Sequence, residues 1–318
     1  MLHNMRRFII VIAAATLLGN AGCRKNETTI NETGITVIAE CKGAPGYLPR
    51  AGFLPGKPFG FSVAEKGTTG LSLVQFPSPG VPYKSFRLPG WDAAGHLGAV
   101  VTDRLGNSYV IPRPFINTLK NDPGKQNTIY KVDSQTGEMS AYITLSSEKQ
   151  PHSGNPYGLM GLAYDCETDI LYATSVAGSD VREEAGSIYA ISIGSGPEVI
   201  ATLAGIDAMG IGLCYLDGQK ALFVGRARSS EIYSLTLSPD GGFEGEPVKT
   251  LTLETLGDRG DDKPRKIRFD TRGNMLVSGI SFNFNLANSA DKKENIYTFG
   301  YDAAVRQWRL LNIRKGVL

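Results

Sequence analysis

Four short segments of the chain carry the same residue pair inside the same alternation: Ile129-Tyr130-Lys131-Val132, Ile188-Tyr189-Ala190-Ile191, Ile232-Tyr233-Ser234-Leu235 and Ile296-Tyr297-Thr298-Phe299. Successive copies begin between 44 and 64 residues apart. A period of that length is the signature of a protein built from one repeated supersecondary unit, and the alternation makes the unit a strand rather than a helix. Glycine supplies 38 of the 318 residues and proline 17, so turns are frequent, as short antiparallel strands require.

Each Ile-Tyr strand is preceded by two others: Leu97–Asp103 and Asn107–Ile111, Gly161–Asp165 and Ile170–Thr174, Gly212–Tyr215 and Ala221–Val224, Lys266–Asp270 and Asn274–Ser278. A fourth strand follows, at Met139–Leu145, Glu198–Leu203, Val248–Leu253 and Val305–Ile313. The turns Asp103-Arg-Leu-Gly-Asn107 and Asp270-Thr-Arg-Gly-Asn274 are nearly identical; Asp caps the turn backbone and Gly supplies positive φ. A degenerate fifth unit comes first, with strands expected at Ile35–Glu40, Phe59–Val63, Leu71–Phe76 and Tyr83–Leu88. Four antiparallel strands per unit, joined as a meander, make a β-propeller blade. The expected fold is therefore an all-β propeller of four-stranded blades, five visible and five or six in all. A β-sandwich with accidental self-similarity is the competing arrangement.

With its Gly-Leu-x-x-Asp, Leu-Tyr and Ile-Tyr stations, the chain resembles the NHL and SMP-30/gluconolactonase-like group of propellers. Those stations belong to blade structure and carry no chemistry. In lactonases of the SMP-30-like kind a Glu, Asn and Asp set around the axis holds a divalent cation, and the resemblance implies Asn155 and Asp207 as the matching metal ligands here. The Gly-Glu-Gly-Pro type of opening seen in that family is missing.

The N-terminus reads as a targeting segment. Arg6 and Arg7 precede the apolar run Phe8–Leu18, too short to span a bilayer, and Ala21-Gly22 lead into Cys23. This resembles the bacterial lipoprotein box, with Asn20 where Leu is usual. The reading is a signal peptide over 1–22, a lipidated Cys23 and flexible tether over 23–34, and a single propeller domain over 35–318. Arg24, rather than Asp, follows the Cys, which by the same resemblance implies a lipid anchor in the outer membrane of a bacterial envelope, with the leaflet unspecified. An ordinary secretory signal is the alternative.

Without residues 1–22, basic and acidic residues are equal in number, so no electrostatic footprint for nucleic acid is expected. The remaining cysteines, Cys41, Cys166 and Cys214, lack metal-ligand spacing. An oxidising envelope permits one disulfide, with Cys214 as a buried filler in an apolar strand.

Blade topology places the links between second and third strands, and those between blades, on one face. These are the long links, and long loops are where recognition sits. The expected binding residues on that face are Trp91, Asp92, Arg113, Phe115, Tyr157, Phe282 and Asn283, whose aromatics beside Asn and Asp suit a sugar ring or a peptide. The run Phe282-Asn-Phe-Asn285 also fits a continuation of the preceding strand. Oxygen donors such as Asn155 and Asp207 suit a hard cation such as calcium. His96 and His152 are the candidate bases. Asp258, Asp261 and Asp262, interleaved with Arg259, Lys263 and Arg265, read as a solvated, mutually neutralising loop. Nucleophile elbows and phosphate-binding glycine loops are absent from the sequence.

The function expected from these residues is binding of a small molecule, glycan or partner protein through the long-loop face. A metal-dependent lactonase or esterase is the second reading, and a structural envelope assembly factor the third.

Overall fold

The computed structural model describes residues 34–63, 69–75, 84–113, 122–285 and 293–317. Its strands form five antiparallel sheets arranged as a five-bladed propeller. Blade 2 holds β5 (Leu97–Thr102), β6 (Ser108–Pro112), β7 (Thr128–Val132) and β8 (Met139–Thr144). Blade 3 holds β9 (Leu159–Asp165), β10 (Ile170–Ser175), β11 (Ser187–Ser192) and β12 (Glu198–Ala204). Blade 4 is β13 (Ala208–Leu216), β14 (Gln219–Arg226), β15 (Glu231–Leu237) and β16 (Phe243–Thr252), and blade 5 is β17 (Lys263–Phe269), β18 (Met275–Ile280), β19 (Lys293–Asp302) and β20 (Gln307–Val317).

The Ile-Tyr pair is the third strand of blades 2 to 5, and the structure shows why the pair recurs. Neighbouring residues of a strand point to opposite sheet faces, and each face of a blade meets a different neighbour. Tyr130 packs between blades 1 and 2 and Ile129 between blades 2 and 3. Tyr189 and Ile188 repeat this one blade on, as do Tyr233 and Ile232. Tyr297 packs against blade 4. Ile296 is half-buried, and among the described residues no apolar cluster joins blade 5 to blade 1. The Gly station of the first strand has its own cause: a Cβ at Gly161 would lie 2.5 Å from the Met209 carbonyl, and one at Gly210 2.5 Å from that of Pro264. Inner strands of blades 3, 4 and 5 therefore run backbone against backbone around the axis.

Blade 1 departs from expectation. Among the described residues it has three strands, β2 (Phe59–Ser62), β3 (Ser72–Gln75) and β4 (Lys84–Phe86). Expected positions Phe76 and Tyr83 lie outside the described residues. The segment expected as its first strand, β1 (Ile35–Val37), instead pairs antiparallel with β13 of blade 4, Ile35 opposite Leu216 and Val37 opposite Cys214. Its edge bonds satisfy the free side of β13 and bury Ile35 completely.

From there the chain crosses the tight-turn face as a strap. Cys41 is disulfide-bonded to Cys166 at the β9–β10 turn, the Gly43 amide donates to the Asp103 carbonyl at 2.8 Å, and the Tyr47 amide donates to that of Ser134 at 3.3 Å. Tyr47, Leu48 and Phe53 then fill the seam between blades 1 and 2. β2 begins at the strap, where the Lys42 ammonium donates to the Phe59 carbonyl, and β4 begins where Lys84 donates to Gly52. In up-and-down sense β2, β3 and β4 are thus second, third and fourth strands. Among the described residues no strand occupies the inner position of blade 1.

Candidate functional site

Three polar residues stand at equivalent stations just before the inner strands β9, β13 and β17: Asn155, Asp207 and Asp262. All three are fully buried. The Asn155 amide donates to the carbonyls of Val176 at 2.7 Å and Ser179 at 2.8 Å, and its oxygen accepts from the Tyr157 amide at 3.1 Å. Asp207 accepts from the Ser179 hydroxyl, from the Gly186 amide at 3.0 Å and from Arg228 Nε at 2.6 Å. Asp262 accepts from Asn295, Tyr297 and Arg259. Burial raises the Asp207 carboxyl above its ordinary pKa, against the opposing hydrogen bonds from Ser179 and Arg228.

This arrangement corrects the expectation that Asn155 and Asp207 ligate a cation. The Arg228 guanidinium donates to Asp207 and to the carbonyls of Asp180, Val181 and Glu183, so a side-chain cation takes the oxygen cage that a metal would need. The Asn155 carbonyl oxygen is turned to its own loop. Among the described residues no three His, Cys, Asp or Glu side chains gather to hold a metal ion. The donor set does not fit calcium. Asp262 likewise departs from the expected solvated loop, because it closes a buried network with Asn295 and Tyr297.

Beside Arg228 lies an aromatic surface. Tyr157 meets Phe282 edge-on at 5.2 Å between ring centroids, and Phe282 meets Phe284 at 5.6 Å. Arg228 Cζ stands 5.0 Å from the Phe284 ring centre, a cation–π contact. Val181, Arg228, Lys263, Phe282, Asn283 and Phe284 line a cavity of about 220 Å³ between the loops of blades 3, 4 and 5. The strand β18 ends at Ile280, so 281–285 is loop rather than strand continuation; the Asn283 side chain accepts from the Asn285 amide at 3.1 Å and folds it back.

A second group gathers around Tyr157. Burial, opposed by the charges of Arg113 and Arg265, raises its phenol pKa. Arg265 is half-buried, and its guanidinium pKa is lowered by burial and by the charge of Arg113. Lys266 reaches solvent, yet burial and the charges of Arg265, Arg268 and Arg113 lower its ammonium pKa, with Glu294 opposing. Among the described residues Arg113, Arg265 and Lys266 make no side-chain hydrogen bond or ion pair. Arg265 and Lys266 went unremarked in the sequence as site residues. Their signal was the run Lys263-Pro-Arg-Lys-Ile-Arg-Phe269, in which Ile267 and Phe269 pack toward blade 4 and Lys266 and Arg268 alternate to the opposite face.

The remaining candidates disperse. Trp91 is a core residue rather than a binding one: it is fully buried in the seam of blades 1 and 2, and its indole donates to the Gly137 carbonyl at 2.8 Å. Asp92 is exposed and ion-paired with Arg87. His96 leads into β5, its carbonyl accepting from the Arg113 amide at 2.8 Å. His152 is exposed, and its Nδ1 accepts from the Gly154 amide at 3.1 Å within its own turn. Phe115 and Cys23 lie outside the described residues. Cys214 is free and buried.

Compared with known protein families and with curated proteins, the chain matches none. Among solved structures it is similar to a luciferin-regenerating enzyme at 12% identity, covering 88% of this chain and 80% of that one with a TM-score of 0.49. It is similar to a glucose dehydrogenase at 15% identity, over 70% of this chain and 74% of the other, with a TM-score of 0.40. An exo-β-1,3-galactanase from Phanerochaete chrysosporium aligns at 8% identity, over 82% of this chain and 63% of its own, with a TM-score of 0.47. At these identities the likeness is one of fold.

Proposed function

We propose that this protein is a ligand-binding propeller that seats a small organic molecule on its long-loop face, against Phe282 and Phe284. The observation that carries this reading is the open cavity in which two aromatic rings, the Asn283 amide and two cationic side chains converge from three blades. Ring faces beside amide and ammonium donors suit a ligand with one apolar face and several oxygen acceptors, as a sugar ring has. Arg228 is held from behind by Asp207, so its orientation is set before a ligand arrives and little ordering entropy remains to oppose binding. Metal-assisted ester or lactone hydrolysis is not part of the proposal, because the oxygen cage is filled by Arg228.

The test is a thermal-shift and calorimetric screen of neutral sugars, sugar acids and sugar phosphates on the wild-type chain and on Phe282→Ala. Loss of a stacking ring should weaken a genuine ligand by about 1–3 kcal/mol, or roughly five- to 150-fold. Hits that bind Phe282→Ala as tightly as wild type would overturn the reading.

We further propose that the protein is lipid-anchored through Cys23 in a bacterial envelope. The Cys41–Cys166 disulfide supports an oxidising compartment. Labelled palmitate that is still incorporated after Cys23→Ser would remove the anchor.

A further inference from the structure

The wall of the cavity on the long-loop face carries two cationic side chains, Arg228 and Lys263, and they are held differently. Arg228 is already balanced. Its Nε donates to the fully buried Asp207, and its terminal nitrogens donate to the carbonyls of Asp180, Val181 and Glu183. Lys263 has no such counterion. Its ammonium donates to the Asp261 carbonyl at 2.8 Å, and among the described residues no carboxylate stands within ion-pair distance of it. One neutral acceptor takes one of the three ammonium protons and none of the charge.

The backbone fixes where that charge is rooted. Lys263 opens β17 and pairs with Ile280, the last residue of β18, and the chain leaving Ile280 makes the loop that carries Phe282, Asn283 and Phe284. Ammonium stem and aromatic loop thus rise from one ladder position and line one cavity. Among the described residues no acidic side chain lines it. The carboxylates of the bordering β10–β11 loop are engaged elsewhere: Asp180 accepts from the amides of Arg182 and Glu183, Glu183 pairs with Lys149, and Glu184 pairs with Arg226. Asp262, next to Lys263 in sequence, is closed off by Arg259, Asn295 and Tyr297. With Arg228 answered by Asp207, one positive charge is left over in the wall. The cavity, about 220 Å³, is smaller than the roughly 300 Å³ at the low end of pockets for drug-sized ligands, so it seats a single ring.

We infer that Lys263 is the anion-binding residue of this pocket and that the ligand is a single-ring molecule bearing one carboxylate or phosphate group. The inference rests on the reading of the aromatic pocket as the ligand site and adds the ligand's charge. The apolar ring face lies on Phe282 and Phe284, and the acidic group meets the Lys263 ammonium. The Asn283 side chain spends its oxygen on the Asn285 amide, which leaves its NH₂ group to donate to a ring oxygen. An ammonium beside apolar ring faces is screened less than one in open water, so an ion pair formed there gains more than an ordinary surface pair. Arg228 supplies shape rather than the deciding charge, because its donors are committed before a ligand arrives.

Calorimetry with matched pairs tests this: D-galacturonate against its methyl ester, and D-glucose 6-phosphate against D-glucose. Wild type is expected to bind at least one acid about fivefold or more tightly than its neutral partner, with the preference shrinking as salt rises. The pair that shows it tells a carboxylate ligand from a phosphorylated one. Lys263→Met keeps the length of the stem and removes the charge, so it should bring acid and neutral partner to equal affinity without changing the affinity of the neutral one. Lys263→Arg should restore the preference. Phe282→Ala separates this inference from the reading beneath it, since it should weaken both members of a pair and preserve their ratio. Equal affinity within both pairs, binding of neither pair, or a preference for the acid that survives Lys263→Met would overturn the anion site. Neutral partners that bind wild type and weaken in Phe282→Ala would leave the pocket standing even then.

Discussion

The two faces of this propeller treat their polar groups in opposite ways. On the tight-turn face the turns are held by their own side chains: Asp103 accepts from the amides of Leu105 and Asn107, Asp270 does the same for Arg272 and Asn274, and the strap adds backbone bonds to blade 2 and a disulfide to blade 3. Asp217 there accepts from Tyr301 and Arg306. On the long-loop face Asn155, Asp207 and Asp262 anchor the loops from below, while among the described residues Arg113, Arg265 and Lys266 make no side-chain hydrogen bond or ion pair. One face carries stability and the other keeps unspent interaction energy. A ligand can draw on the second without disturbing the first.

The largest test of that contrast is the strap. Cys41→Ser opens a loop of 125 residues in sequence separation and should lower the unfolding free energy by about 4 kcal/mol, read by urea denaturation of the oxidised protein. A loss under about 1 kcal/mol would mean that packing of Tyr47, Leu48 and Phe53 holds the strap by itself. Next comes Asp207→Ala, which leaves the Arg228 guanidinium without its carboxylate and should cost about 3 kcal/mol. It should also loosen the pocket, since Arg228 lines it, so ligand affinity and stability fall together. If stability alone fell, Arg228 would be held well enough by its three carbonyl acceptors.

The smallest expected effect is on acid stability at the tight-turn face. Asp133 in the β7–β8 turn has its pKa lowered by the Thr136 and Gln135 amides. A carboxyl with a depressed folded-state pKa contributes stability that is complete above its unfolded value near about 3.9, and that is lost as pH falls through the lower folded value. Melting temperatures of Asp133→Asn and wild type should therefore differ at neutral pH and converge in that acidic window. Curves that run parallel throughout would show the turn to be held by its backbone alone.

Blade structure was legible in the sequence because it depends on local rules. The Ile-Tyr alternation, the Asp-to-Asn turns and the inner-strand glycines each report a strand, a turn or a backbone contact that neighbouring residues decide. Asn155 and Asp207 stand out by type and position, and the structure engages both in buried hydrogen bonds in place of an open cation site. Their type and position are visible in the chain, whereas Arg228, which fills the cage, comes from a loop 21 residues beyond Asp207 and has no marker in sequence. Trp91 misled for a similar reason: an aromatic in a long link looks available until the strap is seen to cover it.

By itself, then, the sequence determined the repeat, the strand order within four blades and the side of the molecule on which long loops gather, since each follows from period, turn chemistry and meander connectivity. Tertiary structure alone decided where Ile35–Val37 pairs. Strand pairing between distant segments is set by which edge lies free, and the free edge of β13 competed successfully with the vacant inner place in blade 1. That single choice laid the chain across the tight-turn face and, among the described residues, left blade 1 with three strands.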